Sequence, residues 1–545
     1  MGQQSNLESS FRGRGIRWPL FPVAWVLAWT TLTAVFQWSD ATRDYKTVFL
    51  QAAVLFVLIG VLGWFFYAMP FSRTTRRVLI AVTLLVLTAC YFSIDYVNDG
   101  DMRLIDLRFA WSPKPDQLLD FPLDKSRADQ WETTPQDYPR FLGTGYWAEV
   151  SGVQLDPDWE RNPPQEVWRR EIGAGWSSFA IVGDYAVTQE QRGPHELVVC
   201  YRLSTGDLVW SHADEARFDP QSLMGGMGGV GPRATPTIHD QHVFTQGATG
   251  IVNCLDARSG ELRWSHDTLA KFGADNLVWG KSGSPLVVDD RVIVNVGAPA
   301  SVSAQETYDS SLVAFDADTG KVEWTSGYRT TAYPSPVLVS LAGEKQILQI
   351  NEHYLTAHRA SDGQILWEHG WPGSSSSDAS CSQPVPLGND RFFLSRGYGD
   401  GASLLEVKRN DDDTMFAEPC WVPTAKPIMK TKFGNVLVRD GYAYGLDGTM
   451  LQCVEIETGR SIWKKRRRRS WGHGQIMLVG DLILILSETG ELALVECSPE
   501  GYHELAAIQV LDDTAVTWNN PAFSPPYLVV RNAEEVVCLR LPVIE

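Results

Sequence analysis

The sequence predicts an all-β, eight-bladed β-propeller preceded by N-terminal transmembrane helices. Three observations carry the prediction. A hairpin with a glycine-closed turn and a tryptophan four residues later recurs along the chain. A further pair of short strands lies upstream of each such hairpin, giving four strands per unit. Finally, the first hundred residues contain three long runs without a charged side chain.

These runs are Trp18 to Gln37, Thr47 to Ser72 and Val78 to Ile94. A hydrocarbon core of roughly 30 Å takes about 20 apolar helical residues. Three successive runs do not fit a single cleaved signal peptide. The expected layout is a cytoplasmic tail (1–17), transmembrane helices at 18–37, 47–70 and 78–96, a juxtamembrane linker (97–163) and the propeller (164–545). Arg12, Arg14 and Arg17 precede the first run, and Arg73, Arg76 and Arg77 separate the second from the third. The positive-inside rule then puts the N-terminus in the cytoplasm and the propeller outside it. The expected location is a bacterial inner membrane, with a multi-pass anchor.

The formal charge is −18, and residues 1–100 hold eight Lys/Arg against five Asp/Glu, so the rest of the chain carries −21. So acidic a domain repels nucleic acid and anionic lipid as a whole.

The hairpins are "CYRLSTGDLVW" ending at Trp210, "CLDARSGELRW" at Trp264, "AFDADTGKVEW" at Trp324, "AHRASDGQILW" at Trp367 and "CVEIETGRSIW" at Trp463. Polar residues before a glycine that takes φ > 0 are hairpin-turn chemistry. Two degenerate copies end at Trp421 and in "LALVECSPEGYHELAAI". The C-terminal segment supplies only three strands, and "PQEVWRREIG" with Trp168 is expected to add the fourth and close the ring. A tryptophan at one position per repeat reads most simply as a plug between adjacent blades. Cys200, Cys254 and Cys453 share a column with Ala314 and Ala357, which calls for a small buried side chain. They lie in different blades, so disulfides among them are not expected.

With these residues in view, the domain resembles the PQQ-binding-like propeller-repeat family, whose motif is roughly Ala-x-Asp-x-x-Thr-Gly-x-x-x-Trp. The resemblance covers about residues 137–545 and includes "YPRFLG" at 138–143, which looks like a lead-in found in envelope-associated bacterial members. That family mixes quinoprotein dehydrogenases with the outer-membrane protein assembly lipoprotein, so it implies a fold more than a function.

A binding site is expected at the mouth of the central channel, where each innermost strand begins. The aligned positions there are Ser178, Thr235, Ser284, Ser335, Gln383, Asn435, Gln475 and Asn520, all polar and uncharged. They suit hydrogen bonds that tie blade to blade, or a ring that binds a ligand. Arg233, Lys281, Lys432 and His473 lie two or three residues earlier. The run "KKRRRR", Lys464 to Arg469, leads from the sixth blade towards the seventh. It reads either as edge protection for an outermost strand or as a cationic rim for an anionic ligand.

A quinoprotein dehydrogenase needs a carboxylate base and Ca²⁺ held by several oxygens. None of the eight aligned positions is Asp or Glu; Asp275 and Asp378 sit in nearby loops. No adjacent Cys pair and no Cys-x-x-Cys-His haem site is present. "HDQH" at 239–242 reads as a hairpin turn, and "GGMGGVG" at 225–231 as a loop without the Lys-Ser/Thr of a phosphate cradle. No metal site is expected. The first reading is therefore a non-catalytic binding or scaffold module, without a cofactor, whose partner is an envelope protein or an anionic ligand. The alternative is a membrane-bound dehydrogenase that uses PQQ with Ca²⁺ to oxidise a sugar or an alcohol.

Overall fold

The computed structural model describes residues 20–38, 43–68, 72–122, 127–128, 131, 133–145, 147–220, 228–299, 308–373, 379–421 and 426–544. They form two compact units, Met1–Ser112 and Pro113–Glu545.

The first unit contains α1 (Leu20–Gln37), α2 (Arg43–Ala68), α3 (Arg73–Ser93) and a hairpin of β1 (Ile94–Asn98) and β2 (Leu104–Phe109). Lys46–Ala68 and Arg73–Ser93 are long and apolar enough to cross a membrane, whereas the first expected span forms a shorter apolar helix, Phe21–Gln37. Helices α1 and α2 pack through aromatic rings: Trp29 stacks on Phe56 at 5.0 Å and Phe36 on Phe49 at 4.2 Å. Gly60 makes the contact possible, because a Cβ there would fall 2.0 Å from the Trp25 indole. The Ser72 hydroxyl accepts from the Thr75 N–H and starts α3.

Among the described residues of the second unit, eight sheets with antiparallel neighbours follow one another at 180–214, 237–267, 286–326, 337–370, 385–419, 437–465, 475–509 and 522–540, the seventh with an added parallel strand. Within each sheet the strands lie side by side in chain order. The last sheet takes its fourth strand from Gln165–Glu171, with Trp168 opposite Cys538. The first strands of successive sheets are neighbours, which makes the unit a β-propeller of many four-stranded blades. In the seventh blade the inner strand Leu482–Leu486, packed on both faces, is apolar throughout, while the outermost strand Glu504–Gln509 alternates.

Tryptophan and glycine join the blades. The indole N–H of Trp168, Trp210, Trp264, Trp421 and Trp463 donates to a backbone carbonyl of the next blade's turn: Leu203 (2.7 Å), Ala257 (2.9 Å), Ala317 (2.8 Å), Ile456 (3.0 Å) and Ser498 (3.1 Å). The turn glycines Gly206, Gly260, Gly320 and Gly459 have φ between 67° and 75°. A Cβ on any of them would also meet the preceding blade's indole at 2.5–3.1 Å. One glycine thus meets two demands, a left-handed backbone and room for a ring. Two tryptophans depart from this: the Trp324 ring lies over Gly363, but its N–H meets no acceptor among the described residues. The fifth blade's turn between Arg409 and Met415 has no glycine, and Trp367 donates instead to Gln346 Oε1 at 2.8 Å. Cys200, Cys254, Cys453 and Cys538 lie directly opposite these tryptophans and are fully buried free thiols. Burial pushes Cys254 and Cys538 up to about 12, so the thiolate, their reactive form, is suppressed.

Part of the stretch read from sequence as a linker is built into the propeller as a strap. Tyr138 exchanges backbone hydrogen bonds with Ile181 of the first blade, at 2.9 and 2.8 Å, and the Pro139 carbonyl accepts from Ile238 N–H of the second at 2.8 Å. Arg140 and Phe141 then lie against Ser284, Ser335 and Gln383, leaving a residual cavity of about 10 Å³. The Ala148 carbonyl accepts from Leu478 N–H at 2.8 Å, and Glu149–Val150 runs parallel to the seventh blade's first strand. "YPRFLG" therefore fills the channel from one side.

Candidate functional site at the channel mouth

The eight aligned polar residues sit where the innermost strands begin, and all but Asn520 are buried. Their side chains link blade to blade. Ser178 N–H donates to Thr235 Oγ1 (3.2 Å), Thr235 N–H to Ser284 Oγ (2.9 Å), Ser284 N–H to Ser335 Oγ (2.8 Å) and Gln383 N–H to Asn435 Oδ1 (2.9 Å). With its amide oriented to satisfy both ends, Gln383 Oε1 accepts from Ser335 N–H at 3.0 Å. Gln475 Nε2 donates to the Trp518 carbonyl at 2.8 Å, and Ser178 Oγ to that of Asn520 at 2.6 Å. A second layer lies beneath: the side-chain amides of Gln189, Gln246 and Asn295 donate to the following blade's carbonyls. Arg531 of the last blade does the same for the first, at Gln189 O (3.0 Å) and Gly173 O (2.7 Å).

The four cationic candidates have different surroundings. Lys281 is buried and donates to the Val296 carbonyl at 2.5 Å. Desolvation pushes its ammonium down to about 7, with Asp275 opposing the shift. Arg233 donates to the carbonyls of Gly228 and Gly229 at 2.6 and 2.7 Å and lies over the Phe218 ring at 4.5 Å. The glycine loop therefore serves as an acceptor for an arginine. Lys432 stands over Tyr398 at 5.0 Å and Phe433 at 5.7 Å. The His473 ring meets Phe433 edge-on at 5.5 Å. Lys432 and His473 thus share one aromatic cluster, while Arg233 and Lys281 are held by backbone carbonyls elsewhere on the mouth.

That cluster was missed from sequence. Trp518 packs at a tilt against Trp176, ring centroids 4.7 Å apart, and Phe433, 4.6 Å apart, joining loops of the first, sixth and eighth blades. Its indole N–H donates to Glu488 Oε1 at 2.6 Å, and Glu488 Oε2 accepts from His473 N–H at 3.2 Å. The signal was present: Trp176, Tyr333, Phe433 and Trp518 each stand two residues before an aligned polar position. Glu196 lies on the first blade, buried, where its carboxylate accepts from Ala248 N–H at 2.8 Å. Desolvation raises it to about 7; Asp214 adds to the rise, and the Ala248 N–H and Arg233 oppose it.

The basic run is largely paired. Lys464 meets buried Asp447 at 3.0 Å, Arg467 bridges Glu491 and Glu504 over the Trp471 ring, and Arg469 approaches Asp513 at 3.6 Å. Arg466 and Arg468 are exposed.

The donor set does not fit a Ca²⁺-held quinone. Among the described residues no group of three His, Cys, Asp or Glu side chains could hold a metal ion. The mouth carboxylate Glu488 already receives two N–H donors. Asp275 is exposed, and Asp378 lies outside the described residues.

The family model described as outer membrane protein assembly factor BamB matches residues 194–465. The chain is 23% identical over 293 residues to the outer membrane protein assembly factor BamB of Burkholderia pseudomallei (strain K96243), covering 46% of this chain and 70% of that protein. It is 27% identical over 161 residues to the quinohemoprotein alcohol dehydrogenase ADH-IIG of Pseudomonas putida, covering 29% of this chain but only 20% of the dehydrogenase. The solved structure of quinohemoprotein alcohol dehydrogenase ADHIIG from Pseudomonas putida HK5 aligns with a TM-score of 0.51 at 13% identity, over 75% of this chain and 80% of that one. That likeness concerns the fold alone. Together with the repeats and the sheet order, these matches establish that the chain belongs to the PQQ-like β-propeller repeat family.

Proposed function

We propose that this protein is a membrane-anchored, extracytoplasmic, eight-bladed propeller that binds an acidic envelope protein or other anionic ligand at its channel mouth and catalyses no reaction. The observation that carries the reading is the mouth itself. The Lys432 ammonium stands over the rings of Tyr398 and Phe433, Phe433 continues through Trp518 to Trp176, and the polar ring beneath is spent on blade-to-blade hydrogen bonds. The ammonium suits an anionic group, and the rings beside it suit the apolar part of the same ligand. The two long apolar helices and the arginines flanking them support the anchor and its orientation. A reporter that works only outside the cytoplasm would then be active when fused after Asp116 and silent after Arg77; the reverse pattern contradicts the orientation.

The binding test uses the full chain in detergent with fluorescent polyglutamate. Saturable binding is expected, weakened by added salt and by Lys432→Gln or Phe433→Ala. No binding, or binding indifferent to both substitutions, overturns the reading. The second reading, a membrane-bound PQQ-dependent dehydrogenase of a sugar or an alcohol, draws support from the dehydrogenase relative. The engagement of the Glu488 carboxylate by two N–H donors counts against it.

A further inference from the structure

The strap follows a rule in how it docks. The residue three places after each aligned channel position points its N–H away from its own sheet. In the first, second and seventh blades that N–H belongs to Ile181, Ile238 and Leu478, and each donates to a strap carbonyl at 2.8 Å. The equivalent residue in the fifth blade is Pro386, which has no N–H. In the sixth it is Val438, which sits opposite Ala443 in the same register that Leu478 has with Ile483. Among the described residues no backbone carbonyl accepts from Val438 N–H. The strap passes this edge without filling the space beside it. A cavity of about 320 Å³ remains there, lined by Trp147, Leu387, Val438 and Ile456 together with Glu149 and Glu457.

We propose that this cavity receives an extended peptide segment of a partner protein, with alternating apolar and basic side chains, added as a strand to the channel-side edge of Leu437–Arg439. The unmet N–H of Val438 and the pairing of Glu149–Val150 on the next blade define the docking edge. Alternate side chains of such a strand reach opposite walls. One set meets the apolar wall of Trp147, Leu387 and Ile456. The other meets the carboxylates of Glu149, whose neighbour Arg439 at 3.8 Å is shared with Asp481, and of Glu457, which pairs with Arg391 of the same cavity at 2.8 Å. These two carboxylates are the local reason for a basic segment at this edge. The site is on different residues from the mouth and does not depend on the function proposed above.

The test measures fluorescence anisotropy of a labelled hexapeptide of alternating Val and Lys on the full-length protein in detergent, with a Val/Glu hexapeptide beside it. The Val/Lys peptide is expected to bind saturably and the Val/Glu peptide not to. Val438→Pro copies what the fifth blade already carries, leaves the sheet's own ladder intact, and is expected to weaken binding at least tenfold with the melting temperature unchanged. Glu149→Gln with Glu457→Gln is expected to weaken it by a similar factor and to flatten its salt dependence. Unaltered binding by Val438→Pro would overturn strand addition and leave only a pocket for a cationic side chain. Equal binding of the two peptides, or none of either, would overturn the proposal altogether.

Discussion

The junction of the last blade with the first tests how this propeller holds together. Trp168 reaches from the strand Gln165–Glu171 to the Leu203 carbonyl, and its ring lies over Gly206. Truncating a buried tryptophan to alanine removes both the ring's burial and its hydrogen bond, so Trp168→Ala should cost about 3–5 kcal/mol. Gly206→Ala acts in two ways. Its φ of 75° strains an L-residue, by roughly 1–2 kcal/mol. The new Cβ would also lie 2.6 Å from the Trp168 ring, and displacing that ring adds roughly 1–3 kcal/mol. With Trp168 already replaced, only the backbone part of the Gly206→Ala penalty remains. The double variant should therefore be more stable than the sum of the single ones by about 1–3 kcal/mol, whereas independent sites add within roughly 0.5 kcal/mol. Urea unfolding of the full chain in detergent, followed by circular dichroism, reads all four corners of the cycle. Strict additivity would refute the reasoning that this glycine exists to admit the neighbouring ring.

Three further outcomes follow from single side chains. The Tyr138 hydroxyl is buried and has no hydrogen-bond partner among the described residues, so Tyr138→Phe should leave stability unchanged or raise it by about 1 kcal/mol; a loss comparable to a broken hydrogen bond contradicts this. Glu196 has a folded pKa of about 7 against 4.5. Its raised value therefore destabilises the fold progressively as pH rises through that window, by up to roughly 3 kcal/mol above it. Glu196→Gln should raise the urea midpoint at pH 8 and scarcely change it at pH 4, and an equal gain at both would refute the assignment. Arg467→Gln strands the buried Glu491 carboxylate and should cost roughly 2 kcal/mol. Arg466→Gln with Arg468→Gln should stay within about 0.5 kcal/mol of the wild type. Thermal melts that rank these variants the other way would contradict the ion-pair account of the basic run.

The blades were legible in the sequence because each restates the same local physics. A polar turn, a glycine with positive φ and a tryptophan recur at fixed spacing, and the structure adds only that the glycine also makes room for the neighbouring indole. The polar column where the innermost strands begin was legible for the same reason, although which of its atoms bond from blade to blade needed the distances. The strap was not legible. Tyr138, Pro139 and Ala148 dock through their backbone, and their partners lie from 43 to 330 residues away in sequence, so no side-chain pattern marks them. The aromatic cluster was passed over because the mouth was read by polarity, and Trp176, Phe433 and Trp518 stand in the column beside it. Glu488 lies between the second and third strands of its blade, away from any position the repeat singles out. Two accounts of "KKRRRR" were weighed from sequence, and the ion pairs of Lys464, Arg467 and Arg469 with particular carboxylates belong to neither.

The measurement that bears most directly on a binding rather than a catalytic propeller is a titration of the purified full-length protein with PQQ and Ca²⁺, following both cofactor binding and dye reduction with sugars and alcohols. The account predicts no saturable binding and no dye reduction above the protein-free control, because the mouth's carboxylates and polar ring are already engaged within the fold. Saturable, Ca²⁺-dependent binding of PQQ accompanied by substrate-dependent dye reduction would contradict it.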